Sequence, residues 1–227
     1  MMTQFSACLA LVLSEEGGYV NHPSDPGGAT MKGVIQTVYN TYRRSRKLAA
    51  RDVRQITDNE LQAIYRSRYW DLVKADQLPF GVDLVVFDAA VNSGPGQSMK
   101  WLQRGLNALK ASEVPLKDDG LIGPATLEAL SSCSDHAALI NDVCDRRLAM
   151  LRKLKTYPTF GKGWRARVGR MRANGLVMAA DPASAPSKPE AAASETDAAA
   201  DPEPAAAGGF GAVIAAFIKA IFARRTA

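Results

Sequence analysis

Residues 181–207 are built from Ala, Pro, Ser, Thr, Glu, Asp and one Lys, with no large apolar side chain among them. Such a stretch cannot bury enough surface to offset the entropy of ordering it. Its five prolines and six acids, against one lysine, keep it extended. Any folded body is therefore confined to residues 1–180, which is enough chain for one large domain or two small ones. Within that body Ala, Leu, Arg and Lys dominate and alternating apolar patterns are scarce. The expected class is mainly α.

Beyond the linker, Phe210, Val213, Ile214, Phe217, Ile218, Ile221 and Phe222 recur at helical spacing, with Lys219 opposite and Arg224-Arg225 closing the run. The apolar run is too short to span a bilayer comfortably and contains Lys219. Two readings fit residues 208–227. One is an amphipathic helix lying on a membrane surface through residues 210–222. The other is a helix docking on the body or on a partner.

Residues 1–180 carry 24 basic and 17 acidic side chains. A basic body suits a polyanionic partner: nucleic acid, anionic lipid or bacterial wall. Lys162, Arg165, Arg167, Arg170 and Arg172 form the densest cluster. No nucleic-acid recognition motif accompanies them, so a basic surface on a wall-acting protein is the simpler reading. Cys8, Cys133 and Cys144 are odd in number and lack metal-site spacing, as do His22 and His136. Reduced, packed thiols are expected, with no metal and no organic cofactor. The apolar run Ala7–Leu13 has no preceding Lys or Arg, so it reads as a mature helix rather than a cleavable signal peptide.

Phe5, Cys8, Leu9, Val12 and Leu13 predict a first helix over 3–16, stopped by Gly17-Gly18 with Gly17 as a left-handed cap. Residues 19–32 form a turn-dense loop with room for a short hairpin, and 33–42 return to apolar spacing. Thr57-Asp58-Asn59-Glu60 is a capping box. It opens a helix whose inner face would carry Leu61, Ile64, Tyr65, Arg68 and Leu72. Val82–Val91 reads as a buried helix because Asp83 and Asp88 break any alternation. Further helices are expected over 97–111, after Pro124, over 137–154, and beyond Trp164.

The chemistry points to the end of the first helix. At 100° per residue, Glu16 lies roughly 10° from the centre of the apolar face and Glu15 roughly 90° away. A carboxyl held among apolar groups suits a general acid near neutral pH. The same placement would equally suit a structural ion pair with a buried arginine. Asp25 follows nine residues on, in a polar loop that would keep it ionised. Glycosidic cleavage commonly uses two carboxyl groups in these two states.

The ordered set Glu16-Gly17-Gly18-Tyr19, Asn21, Pro23, Asp25-Pro26-Gly27-Gly28, Thr30, Gly33, Tyr69-Trp70 and Phe87–Gly94 resembles glycoside hydrolase family 108. These are lysozyme-like N-acetylmuramidases of phages, prophages and bacteria. The resemblance implies a lysozyme-like helical body, Glu16 as catalytic acid, and hydrolysis of the β-1,4 bond between N-acetylmuramic acid and N-acetylglucosamine. The Glu16-to-Asp25 spacing also resembles that of phage lysozymes, and implies Asp25 as base or stabiliser, or only as a cap of its loop. Thr30, one residue short of its phage-lysozyme position, becomes a water-orienting hydroxyl. Position 22 departs from the family, which often has an acid where this chain has His22. Tyr19, Asn21, Tyr69 and Asn92 are the substrate-binding candidates.

Leu102-Gln103, Leu106-Asn107, Asp119–Thr126 and Gly163–Val168 resemble the peptidoglycan-binding region that accompanies that family. The implied organisation is a catalytic region over 1–91 and a wall-binding region over 92–180, standing alone or completing one body. The linker 181–207 and the tail 208–227 follow. A monomer acting on peptidoglycan is expected, made in the cytoplasm and working in the periplasm. The rival reading keeps the fold and loses the enzyme: a non-catalytic wall-binding or structural protein of a phage-like particle.

Overall fold

The computed structural model describes residues 3–21 and 28–181. The expectations for Asp25, for most of the linker (182–207) and for the tail helix (208–227) lie outside the described residues. The observed class is mainly α, as expected.

Helix α1 (Gln4–Ser14) opens on a capping box between Thr3 and Ser6. It closes earlier than the sequence pattern predicts and without a left-handed Gly17. Its last turn tightens instead, Glu15 N–H bonding to Val12 O and Glu16 N–H to Leu13 O, so no left-handed residue is needed to satisfy the end. A small antiparallel meander follows: β1 (Tyr19–Val20), β2 (Thr30–Met31) and β3 (Val34–Ile35). Lys32 and Gly33 form the β2–β3 turn with φ of 47° and 76°. That is the left-handed pair a tight hairpin demands.

Helices α2 (Gln36–Ser45) and α3 (Asp58–Tyr65) come next. The expected capping box is present, Thr57 accepting from Glu60 N–H and Glu60 reaching back. Helix α3 then runs into a π-helical turn, Arg66–Trp70. Each π turn adds one residue. The inner face therefore continues through Trp70 and Val73, not through Leu72, which is 60% exposed. The predicted inner face is corrected at that position.

Helix α4 (Val82–Ser93) is the axis of the body. Every one of its residues is buried. It packs against α1, α5 (Pro95–Ala108), α7 (His136–Leu151) and α8 (Tyr157–Ala180). A helix apolar on all sides can be satisfied only in such a position. The hydrophobic core runs without interruption from Phe5 through Phe87 to Met178. The turn before α6 (Pro124–Ser132) is clamped by Gln103, which accepts from Gly120 N–H at 2.9 Å and donates to Asp119 and Leu121 O. The Asp119–Thr126 run thus works as a structural clasp on α5. Among the described residues, no helix is long and apolar enough to cross a membrane.

The two buried carboxylates of α4, Asp83 and Asp88, have partners from other elements, whereas the buried Ser93 hydroxyl has none among the described residues. Asp83 accepts from Gln4 Nε2 (2.5 Å), Leu84 N–H (2.7 Å) and the Cys8 thiol (3.5 Å). Burial still pushes its carboxyl from 3.8 up to about 6. Below the lower value both folded and unfolded chains hold the proton. As pH rises between the two, the unfolded chain releases it first, so the folded state loses stability. By pH 7 the loss is about 3 kcal/mol. Asp83→Asn removes the titration. Urea denaturation from pH 4 to 7 should show wild type losing stability relative to the variant across that window. Parallel profiles would mean that Asp83 ionises without penalty.

Candidate active site

Glu16 lies two residues beyond α1, where the tightened last turn brings its side chain inward. The carboxyl is 1% exposed although its backbone is not buried. Oε1 accepts from Arg167 Nη1 of α8 at 2.9 Å. Arg167, also 1% exposed, turns the rest of its guanidinium to α4, donating from Nε (2.9 Å) and Nη2 (2.7 Å) to Asp88 Oδ1. Asp88 Oδ2 accepts from Arg147 of α7. Four charged side chains from the end of α1 and from three helices thus form one buried chain.

Glu16 Oε2 is buried with no hydrogen-bond partner among the described residues. It lies against Gly33 at the hairpin tip. A Cβ there would stand 3.0 Å from Oε2 and 2.5 Å from the Tyr65 hydroxyl, which donates to Lys32 O at 2.9 Å. Gly33 is required twice over, by its positive φ and by this close approach.

Burial pushes the Glu16 carboxyl above its ordinary value. Arg167 pulls it back without cancelling the effect, and Asp88 and Glu15 add to the rise. Asp88 goes the other way. Burial favours its neutral form, but Arg147 and Arg167 together outweigh that and hold it below the usual range. Asp88 is thus a fixed anion, while Glu16 retains its proton to higher pH. Burial, and then the nearby Glu16 charge, raise the Tyr65 hydroxyl well above its ordinary value. A neutral carboxyl with one uncommitted oxygen can give a proton to a leaving oxygen. The ion pair with a buried arginine is thus present, and burial leaves the Glu16 carboxyl more readily protonated than an ordinary glutamate.

Glu15 is committed elsewhere. It accepts two bonds of 2.6 Å from Arg170, whose side chain is 57% exposed. Tyr19, on β1, is 38% exposed, with the Arg54 guanidinium 5.2 Å from its ring centre. Asn21 is exposed. Thr30 is buried, and its hydroxyl donates to Gly28 O at 3.3 Å. Tyr69, displaced by the π turn, lines a small cleft with Gly33, Val38, Tyr65 and Arg68. Asn92 is buried in the last turn of α4. Trp70 and Trp101 are core residues. The basic cluster of α8 is largely spent internally. Arg167 holds Asp88 and Glu16, Arg170 holds Glu15, and Arg172 holds Asp145. Among the described residues, no group of His, Cys, Asp and Glu could hold a metal ion.

Sequence reasoning read Asp88 and Gly33 only as members of the family motif and Arg167 as part of a basic surface cluster, gave Arg147 no role, and placed none of the four beside Glu16. A signal existed for Arg167. It sits three residues after Trp164 and one before Val168, Met171 following, so it interrupts an apolar stripe at helical spacing.

Residues 9–94 match the model of glycosyl hydrolase family 108. The structure also resembles that of SagA from Brucella abortus, with 40% sequence identity and a TM-score of 0.66 over 79% of this chain and 97% of that one. The chain belongs to glycosyl hydrolase family 108. Residues 97–169 of this family 108 hydrolase match a second model, described as a predicted peptidoglycan domain. Among curated proteins none matches. The two matched regions together support a peptidoglycan hydrolase. Arg147 and Arg167 belong to the second region, while the carboxyls they hold belong to the first.

Proposed function

We propose that this family 108 hydrolase is an N-acetylmuramidase of the lysozyme type. It cleaves the β-1,4 bond between N-acetylmuramic acid and N-acetylglucosamine, with Glu16 as general acid. The observation that carries this reading is the Glu16 carboxyl: buried, biased toward its protonated form, and bonded through one oxygen only. The free oxygen delivers the proton to the departing glycosidic oxygen, which no longer has to leave as an alkoxide. Oε2 is shielded from solvent, so substrate engages it only when the covering groups give way. Asp25, nine residues on in sequence, is the counterpart that positions water or steadies the positive charge developing on the sugar. Tyr19 and Tyr69 offer rings to the glycan, and Asn21 and Asn92 offer amides. The Thr30 hydroxyl spends its proton on Gly28 O and can orient water only as an acceptor, which makes it the weakest of the proposed catalytic groups. The basic body favours approach to an anionic wall.

The test is digestion of purified peptidoglycan followed by mass spectrometry. Fragments with new reducing ends at N-acetylmuramic acid are expected. Reducing ends at N-acetylglucosamine would make the enzyme a glucosaminidase. A folded protein that binds the wall and releases nothing would favour the non-catalytic alternative.

A further inference from the structure

We propose that the region after the hydrolase match is a working part of the active site as well as a wall-binding element: its Arg147 and Arg167 build, around Asp88, a buried charged frame that positions the Glu16 carboxyl. The readout by activity rests on the proposed role of Glu16 as acid; the geometry does not.

Arg167 is forked between two acids, one nitrogen on Glu16 and two on Asp88. Arg147 touches the frame only at Asp88, through one nitrogen. Its Nε and Nη2 are buried without a partner among the described residues. Leaving such donors unpaired is costly, and buried ion clusters seldom stabilise a fold better than apolar packing does. Stability is therefore a poor explanation for this arrangement. The chemistry gives a better one. Asp88 takes up cationic charge that would otherwise fall wholly on Glu16. With Asp88 absent, a full guanidinium would face Glu16 and ionise it. With Arg167 absent, the carboxyl would lose both its anchor and its cation. The frame sets Glu16 between these limits. The other groups facing Glu16 are Glu15, itself paired with Arg170, and the hydroxyls of Tyr65 and Tyr69. None of them donates a hydrogen bond to the carboxyl among the described residues, so the fork of Arg167 is its anchor.

The frame predicts opposite responses at its two ends. Glu16 must be protonated to act, so its titration sets the alkaline limb of kcat/KM against pH. In the full chain, Asp88→Asn removes the competing anion and should move that limb down by about one pH unit. Arg167→Gln should move it up, and Arg147→Gln, which touches Glu16 nowhere, should also move it up by a smaller amount. Carboxyl 13C NMR should show Glu16 itself titrating with the same shifts, independently of any turnover. A wild type that cleaves no peptidoglycan would thus sink the proposed function and leave the frame testable. The wild type also needs no variant to fold: Arg167 guanidinium 15N and Asp88 13C signals should shift at the Glu16 midpoint. Flat Arg167 and Asp88 signals through that midpoint would overturn the proposal. So would Asp88→Asn and Arg167→Gln limbs that move together or stay still while only melting temperatures change.

Discussion

Glu16→Gln is expected to slow peptidoglycan cleavage by about 100- to 10,000-fold, the usual worth of a general acid, while the protein stays folded. Glutamine is nearly the same shape. Its oxygen can still accept from Arg167, and Arg167 keeps its two bonds to Asp88. Only the proton is lost. Glu15→Gln makes the informative contrast. Glu15 sits in a pair with a half-exposed arginine, and such pairs contribute at most about 1 kcal/mol. Its loss should change turnover by no more than about fivefold by the same reckoning. Turbidity clearance with both variants, at the wild-type optimum and one pH unit either side, decides the matter. Equal clearance by wild type and Glu16→Gln would remove Glu16 from the chemistry. Loss on Glu15→Gln alone would transfer the role to its neighbour.

Gly81→Ala is expected to be the most damaging single methyl group. Gly81 precedes α4 with φ of 82°, and a Cβ there would lie 2.0 Å from Gly175 O and 3.1 Å from Ala179 N of α8. Both are backbone atoms, so no side-chain rotation relieves the clash and α8 must move. The left-handed conformation costs about 1–2 kcal/mol for a residue with Cβ, and overpacking adds roughly 1–3. A fall in melting temperature of about 5–15 °C follows for a body of this size. The same shift would carry Arg167 away from Glu16, so cleavage should drop in the surviving folded protein. Gly169→Ala, on the same helix, meets nothing within 4 Å and has no positive φ. It should be neutral or stabilise by up to about 1 kcal/mol. A Gly81→Ala protein melting within a few degrees of wild type would mean that α4 and α8 do not cross this closely.

Local rules were legible wherever they rest on neighbours in the chain. The Thr57–Glu60 capping box, Pro124 opening a helix and the buried character of residues 82–91 all followed from spacing. So did the inward turn of Glu16, because helical periodicity carries through its last tight turn. The π turn was not legible. An inserted residue leaves no signature in composition, yet it turned Leu72 outward and set the directions of Tyr69 and Trp70. The end of α1 was misjudged for a related reason. A Gly-Gly pair permits a left-handed cap, but the chain used hydrogen bonds spanning three residues, which any residue can make.

By itself the sequence determined a mainly helical body, an acid delivered inward at the end of the first helix, and the family motif around it. Those depend on contacts no more than a few residues long. Only the tertiary structure decided the state of that acid. Its arginine comes from a position 151 residues away, the aspartate that shares that arginine from the buried central helix, and its cover from a hairpin glycine. Electrostatic energy in a buried site falls with distance in space, not in sequence. Which charges meet there is settled when α8 packs across α4.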